Sequence, residues 1–168
     1  MICQLPSIKK MDNTLNLLAA CEHLSLSTNA IDRIQPLPGL KNLKILSLGR
    51  NLLKRIDNLS DNANTLEELW LSYNQIDKLE GLTGMRKLRV LYLSNNAIKN
   101  FDELIKLREL PALEDLLLLG NPCYEGLTKE QRRIEVLKRV PKIKKLDGTV
   151  VSDTEREAAL GIGTTEAA

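Results

Sequence analysis

The chain has 168 residues, 43% of them hydrophobic and 27% charged, with a formal net charge of +2. That composition supports one compact folded domain and argues against a disordered or strongly polyionic chain. No run of 18 or more apolar residues occurs and the opening MICQLPSIKK lacks an apolar signal core, so neither a membrane span nor secretion is expected and an intracellular protein is. Cys3, Cys21 and Cys123 are odd in number and widely spaced, which suits reduced, mostly buried thiols better than a disulfide framework or a zinc site.

From residue 21 onward one phrase returns five times: CEHLSLSTNAI, LKILSLGRNLL, LEELWLSYNQI, LRVLYLSNNAI and LEDLLLLGNPC. Its asparagines, Asn29, Asn51, Asn74, Asn96 and Asn121, are separated by 22, 23, 22 and 25 residues. This is the leucine-rich repeat pattern L-x-x-L-x-L-x-x-N, so an α/β solenoid is predicted, with a parallel β-sheet on one face and short 3₁₀ or α turns on the other. Leucines two apart point to one side of a short strand, and the asparagine side chain can satisfy backbone groups where the chain turns.

Between strands the apolar spacing is three, as in Ile31, Ile34, Leu37, Leu40 and Leu43, which fits 3₁₀ turns. The fourth repeat is longer, and its FDELIKLREL, free of Gly and Pro, has the composition of a true α-helix. Thr128 to Val140 carries a Thr-x-x-Gln capping box with Ile134, Leu137 and Val140 at helical spacing and reads as the helix that seals the solenoid. The following PKIKKLDG repeats the strand phrase in shortened form. Ser152 and Glu155 form a second capping box, and Gly161 ends a helix with few apolar residues, expected to project from the solenoid. The predicted division is residues 1–148 for the repeat domain with its cap and 149–168 for the projecting helix and a disordered IGTTEAA tail.

If the repeat leucines face inward, their neighbours face outward and align across the strands. The position between the paired leucines then holds Ser25, Ser47, Trp70, Tyr92 and Leu117, and the position before it His23, Ile45, Glu68, Val90 and Asp115. Ile45, Trp70, Tyr73, Val90, Tyr92, Leu117 and Leu119 are therefore expected to form one apolar surface. No element of its own chain covers this face of a solenoid, so the surface reads as a protein-binding site; the alternative is that single exposed aromatics are ordinary. No catalytic constellation, cofactor motif or Gly-rich phosphate loop is recognisable, and the single histidine, His23, is expected to be solvated. From Lys129 to Lys145 eight basic residues face two acidic ones, a local excess of +6. It reads either as a surface for an acidic partner or as the solvated side of the cap, and no interleaved aromatics point to nucleic acid.

The 22-residue period followed by NPCYEGLTKEQRRIEVLKRVPKIKKLDG resembles the leucine-rich subclass containing a phosphatase type 1 regulator, the spliceosomal A-prime protein and light chain 1 of axonemal outer-arm dynein. IKKMDNTL, NTLEELWLSYNQI, LRVLYLSNNAI and KKLDGTVV resemble the dynein light chain family most, over about Pro6 to Glu157. That resemblance implies a non-catalytic subunit, a monomer by itself, with no cofactor, nucleic acid or membrane partner. It implies binding of the dynein heavy chain near its stalk tip through Trp70, Tyr92 and their neighbours. It also implies that Asp153, Glu155 and Arg156 face the microtubule, and that the protein resides in the axoneme of a cilium or flagellum.

Overall fold

The computed structural model describes residues 6–161. One sheet holds seven strands in chain order: β1 (His23–Ser25), β2 (Ile45–Ser47), β3 (Glu68–Trp70), β4 (Val90–Tyr92), β5 (Asp115–Leu117), β6 (Lys145–Leu146) and β7 (Thr149–Val150). The first six are parallel and β7 runs antiparallel to β6. The register sets Leu24, Leu46, Leu69, Leu91, Leu116 and Leu146 side by side, all buried. A slip of one residue would carry this whole leucine row to the open face, which fixes the pairing.

The asparagines close each coil onto its neighbour. In Asn96 the side-chain oxygen accepts from Ile76 N–H at 3.0 Å, while its amide donates to the carbonyls of Leu71 and Leu93, each at 3.0 Å. Asn51, Asn74 and Asn121 repeat the arrangement in their own coils. The turn also requires a left-handed residue just before the asparagine, at Thr28, Arg50, Tyr73, Asn95 and Gly120, with φ between 53° and 78°. Only the last is glycine, and a Cβ there would lie 2.4 Å from Asn95 Oδ1. The other four accept the cost of a left-handed L-residue because the corner over-determines them.

On the opposite side the three-step apolar positions are buried, from Ile31 to Leu43 and from Ile76 to Leu88. Phe101–Glu109 is a 3₁₀ helix and not the α-helix its composition suggests. The reason is the spacing of Leu104, Leu107, Leu110 and Leu113, all buried. An α-helix would rotate such a stripe by about 60° at each step, whereas three residues per turn keep it on the core side. At the amino-terminal end a 3₁₀ helix, Asn13–Leu17, covers the first coil. Asn16 Oδ1 accepts from Gly39 N–H at 2.8 Å, and a Cβ on Gly39 would fall 2.0 Å from the Asn16 carbonyl. Ile8 N–H donates to Asn29 Oδ1, so this segment acts as a partial extra coil.

The other end is sealed by α1 (Lys129–Arg139), which begins with the expected Thr128–Gln131 capping box. Its buried stripe differs from the predicted one. Arg133, Val136, Leu137 and Val140 turn inward, and Ile134 is only half-buried. Arg133 is 4% exposed. Its guanidinium donates to Leu146 O at 2.7 Å and Val150 O at 3.3 Å and pairs with both oxygens of Glu155. Glu155 belongs to α2 (Asp153–Leu160), whose Ser152–Glu155 capping box and left-handed Gly161 match the sequence reading. This helix does not project. Arg156 donates to the carbonyls of Pro141 and Ile143, Val151 is buried, and Ala159 packs on the core. Arginines substitute for the missing apolar contacts, and β7 continues the main sheet across the predicted boundary at residue 148. The IGTTEAA tail lies outside the described residues.

Where the sheet turns back, Asp147 replaces a further coil: its Oδ1 accepts from Leu118 and Leu119 N–H at 2.7 and 3.1 Å, and its Oδ2 accepts the Tyr124 hydroxyl at 2.9 Å. Burial and this carboxylate push the Tyr124 phenol up, and burial pushes the Cys123 thiol up to about 11, so neither ionises near neutral pH.

Two outcomes are predicted. Asn96→Ala leaves backbone groups unpaired at a buried corner and should cost about 1 to 3 kcal/mol in denaturant unfolding; a parent-like midpoint would remove the asparagine from this role. The Glu155 carboxyl is held down to about 2, chiefly by its hydrogen bonds to Arg133, from an ordinary 4.5. The folded state thus takes up this proton at lower pH than the unfolded state. The stabilisation is complete above about 4.5 and is lost as the pH falls toward about 2. Between these limits the parent should lose stability faster than Glu155→Gln, and parallel acid-unfolding curves would contradict the pairing.

Candidate protein-binding face

The open face of the sheet carries three rows of side chains. Along the first, in register, stand His23, Ile45, Glu68, Val90, Asp115 and Lys145; along the second, Ser25, Ser47, Trp70, Tyr92 and Leu117. The third continues past the strand ends as Ser27, Gly49, Ser72, Ser94 and Leu119, joined by main-chain bonds between coils such as Thr28 N–H to Gly49 O and Arg50 N–H to Ser72 O.

The centre is aromatic. Trp70 and Tyr92 stack with ring centroids 6.0 Å apart and planes at 22°, and His23 meets the indole edge-on at 6.0 Å. Ser47, between His23 and Trp70, is small enough to be only 5% exposed, which lets the indole reach across β2. The two stacked rings have their polar atoms satisfied from within. Trp70 Nε1–H donates to Glu68 Oε2 at 3.1 Å, and the Tyr92 hydroxyl donates to Asp115 Oδ2 at 3.3 Å, which also accepts from Lys145 Nζ at 3.1 Å. Burial, then the Asp115 charge, push the Tyr92 phenol up, so it remains a donor. With their hydrogen bonds made inside the face, the rings offer an apolar surface held in one orientation.

Not every expected residue joins this surface. Trp70, Tyr92 and Leu117 are neighbours in one row, half-buried Ile45 lies beside them, and exposed Leu119 follows Leu117. Val90 is only 8% exposed, between Glu68 and Asp115, and offers little area. Tyr73 is 48% exposed but stands at the left-handed corner, beyond the serine row, with the Arg50 guanidinium 4.4 Å over its ring. The expected single patch is therefore an apolar bar along the second row, interrupted on one side by Glu68, Asp115 and Lys145. His23 is part of it through Trp70 and not merely solvated. The carboxylate partners were missed in the sequence, although Glu68 is two residues from Trp70 and so on its face.

The basic segment is also different in space. Arg133 pairs with Glu155, Lys138 with Glu135, Arg139 with Glu135 and Asp102, Lys144 with Glu114, and Lys145 with Asp115. Among the described residues only Lys129, Arg132 and Lys142 of that cluster lack an acidic partner. The local excess is thus largely compensated by acids from other coils. Also among the described residues, no group of three or more His, Cys, Asp or Glu is placed to hold a metal, and no helix is long and apolar enough to cross a membrane.

Comparison with known proteins agrees with this architecture. The family model for leucine rich repeats, in two copies, matches residues 64–106. A solved structure of the Drosophila melanogaster SNF/U2A' complex superposes with a TM-score of 0.76 over 95% of both chains, at 24% identity, and so shares the fold. Dynein axonemal light chain 1 of Chlamydomonas reinhardtii is 57% identical over 159 residues, covering 92% of this chain and 80% of that one. Its Homo sapiens counterpart is 59% identical over 155 residues, covering 92% and 82%. At this identity over nearly the whole chain, the protein belongs to the dynein axonemal light chain 1 family.

Proposed function

We propose that this chain is a non-catalytic subunit of outer-arm dynein in cilia or flagella, which binds the motor heavy chain near its microtubule-binding stalk tip through the open sheet face and modulates motility. The observation that carries the reading is the Trp70–Tyr92 stack, an ordered apolar surface that no other part of the described chain covers. An aromatic pair with its polar atoms already satisfied gains burial only when a partner arrives, which is the composition of an interface hot spot. Family membership supplies the motor, and the three-residue strands suit a single short partner element laid across them.

In this reading α2 lies toward the microtubule and contributes charge. Of Asp153, Glu155 and Arg156 only the first is exposed, while the other two are tied to the cap and hold the helix in place. Because an acidic polymer surface repels a carboxylate, Asp153→Asn should strengthen microtubule binding of the reconstituted light chain and stalk by roughly twofold to fivefold at low salt, the size of one exposed charge interaction. The gain should fade as salt is added. Superimposable co-sedimentation curves at low salt would argue against a microtubule-facing α2.

The central test is Trp70→Ala with Tyr92→Ala. Both rings are outside the core, so folding should survive, while affinity for a stalk-tip fragment should fall by at least about 2 kcal/mol. Titration can follow the emission of Trp70, the only tryptophan, in the parent. An unchanged dissociation constant for the double variant would overturn the assignment of this face.

A further inference from the structure

A second surface lies at the carboxyl-terminal end and shares no residue with the sheet face. The end of the Phe101–Glu109 helix, the end of α1 and the end of α2 enclose a cleft of about 590 Å³. Its apolar lining includes Leu113, Leu137, Val140, Ala159 and Leu160. Leu160, on the last turn of α2, is 69% exposed among the described residues.

Among the described residues the charged side chains that line this cleft are all basic: Arg108, Lys138, Lys142 and Arg156. Two of these cations are fixed by main-chain carbonyls, which leave their charge uncompensated: Arg108 donates to Lys138 O at 2.9 Å and Arg139 O at 2.6 Å, and Arg156 to Pro141 O and to Ile143 O. Lys138 is paired with Glu135, and Lys142 has no ion-pair partner among the described residues. An apolar floor ringed by cations repels a basic or cationic segment and leaves an acidic one to complement it. The volume suits a few side chains from one helical face and is too concave for a flat surface.

We infer that this cleft docks an acidic amphipathic helix of a partner protein, with apolar side chains seated against Leu160 and Leu137 and carboxylates facing Lys142 and its neighbours. The protein would then hold two partner elements at once, one on the sheet and one at the cap. The inference goes beyond the sheet-face reading and does not depend on it.

The test uses the full chain and a fluorescent peptide of about twelve residues, long enough to form helix on binding. It carries leucines at positions i, i+3, i+4 and i+7 and glutamates elsewhere, and a control peptide has lysine in place of each glutamate. The acidic peptide should bind and the basic one should not. Leu160→Asp should weaken binding roughly tenfold, the loss of one buried leucine contact. Lys142→Glu should weaken it by roughly threefold to tenfold at low salt. Both positions are exposed, so folding is retained, and Trp70→Ala should change nothing. Equal affinity for the two peptides, binding that survives both cleft variants, or loss on Trp70→Ala would overturn the inference. So would self-association or adsorption to anionic phosphatidylserine vesicles that Leu160→Asp abolishes, since either would give the cleft to a second copy or to a membrane.

Discussion

The structure depends on the hydrogen bonds of the asparagine side chains at the corner of each coil. A three-residue strand must be followed by a turn, and the turn leaves N–H and C=O groups inside a leucine core where water cannot reach them. One amide side chain supplies both an acceptor and two donors, and in Asn51, Asn74, Asn96 and Asn121 it spends them on its own coil and on the coil before. The link is therefore between repeats, not only within them. Aspartate could not donate and serine could not span both coils, which explains why one residue type recurs.

A ladder built this way must be ended. At the first coil the donor comes from Ile8 N–H, and at the last, where the chain reverses, no further parallel strand can accept from Leu118 and Leu119. There an acceptor-only side chain is sufficient, and Asp147 fills the place. The carboxylate in turn takes the Tyr124 hydroxyl, so the end of the sheet and the start of the cap are joined. Arg133 performs the equivalent task between α1, β6, β7 and α2, with carbonyls and a carboxylate satisfying a nearly buried cation, the condition under which such burial is tolerated.

Much of this was legible in the sequence because the repeat imposes a register. The strand positions, the buried leucine row, the alignment of Trp70 with Tyr92, both capping boxes and the sealing helix follow from spacing alone. What was not legible lies where the chain departs from that register, in contacts made once and in backbone turns that the spacing does not show. α2 looks too poor in apolar residues to dock, yet Arg133, seated on carbonyls of β6 and β7, holds it through Glu155, and Arg156 reaches the Pro141 and Ile143 carbonyls between α1 and β6. Tyr73 looks like part of the face until the left-handed turn before each asparagine moves it past a row of serines. The Phe101–Glu109 segment has α-helical composition, but its three-step leucines outweigh propensity because packing, more than intrinsic preference, determines short helices.

Charge in a solenoid has to be read at the repeat period, since the spatial neighbour of a residue is one coil away and not one residue away. Glu22, Lys44, Glu67, Arg89, Glu114 and Lys144 enter their strands in succession, linked by a continuous spine of main-chain bonds from Lys44 N–H to Glu22 O through to Lys144 N–H to Glu114 O. Their signs alternate strictly. Lys44–Glu22, Arg89–Glu114 and Lys144–Glu114 form ion pairs at 2.9, 3.2 and 2.7 Å. Each exposed pair contributes little to stability. What the alternation does is avoid like charges directly opposite one another in a parallel sheet, where every coil would otherwise repel the next. It also leaves the edge of the open face without a net field. Long-range attraction is then weak there, and what the face offers is the shape and apolar area of the Trp70–Tyr92 bar, with Glu68 and Asp115 fixing the rings in place. The cap cleft differs in kind, since its charged lining among the described residues is Arg108, Lys138, Lys142 and Arg156, so the two surfaces present different physics, aromatic area on the one and positive charge on the other.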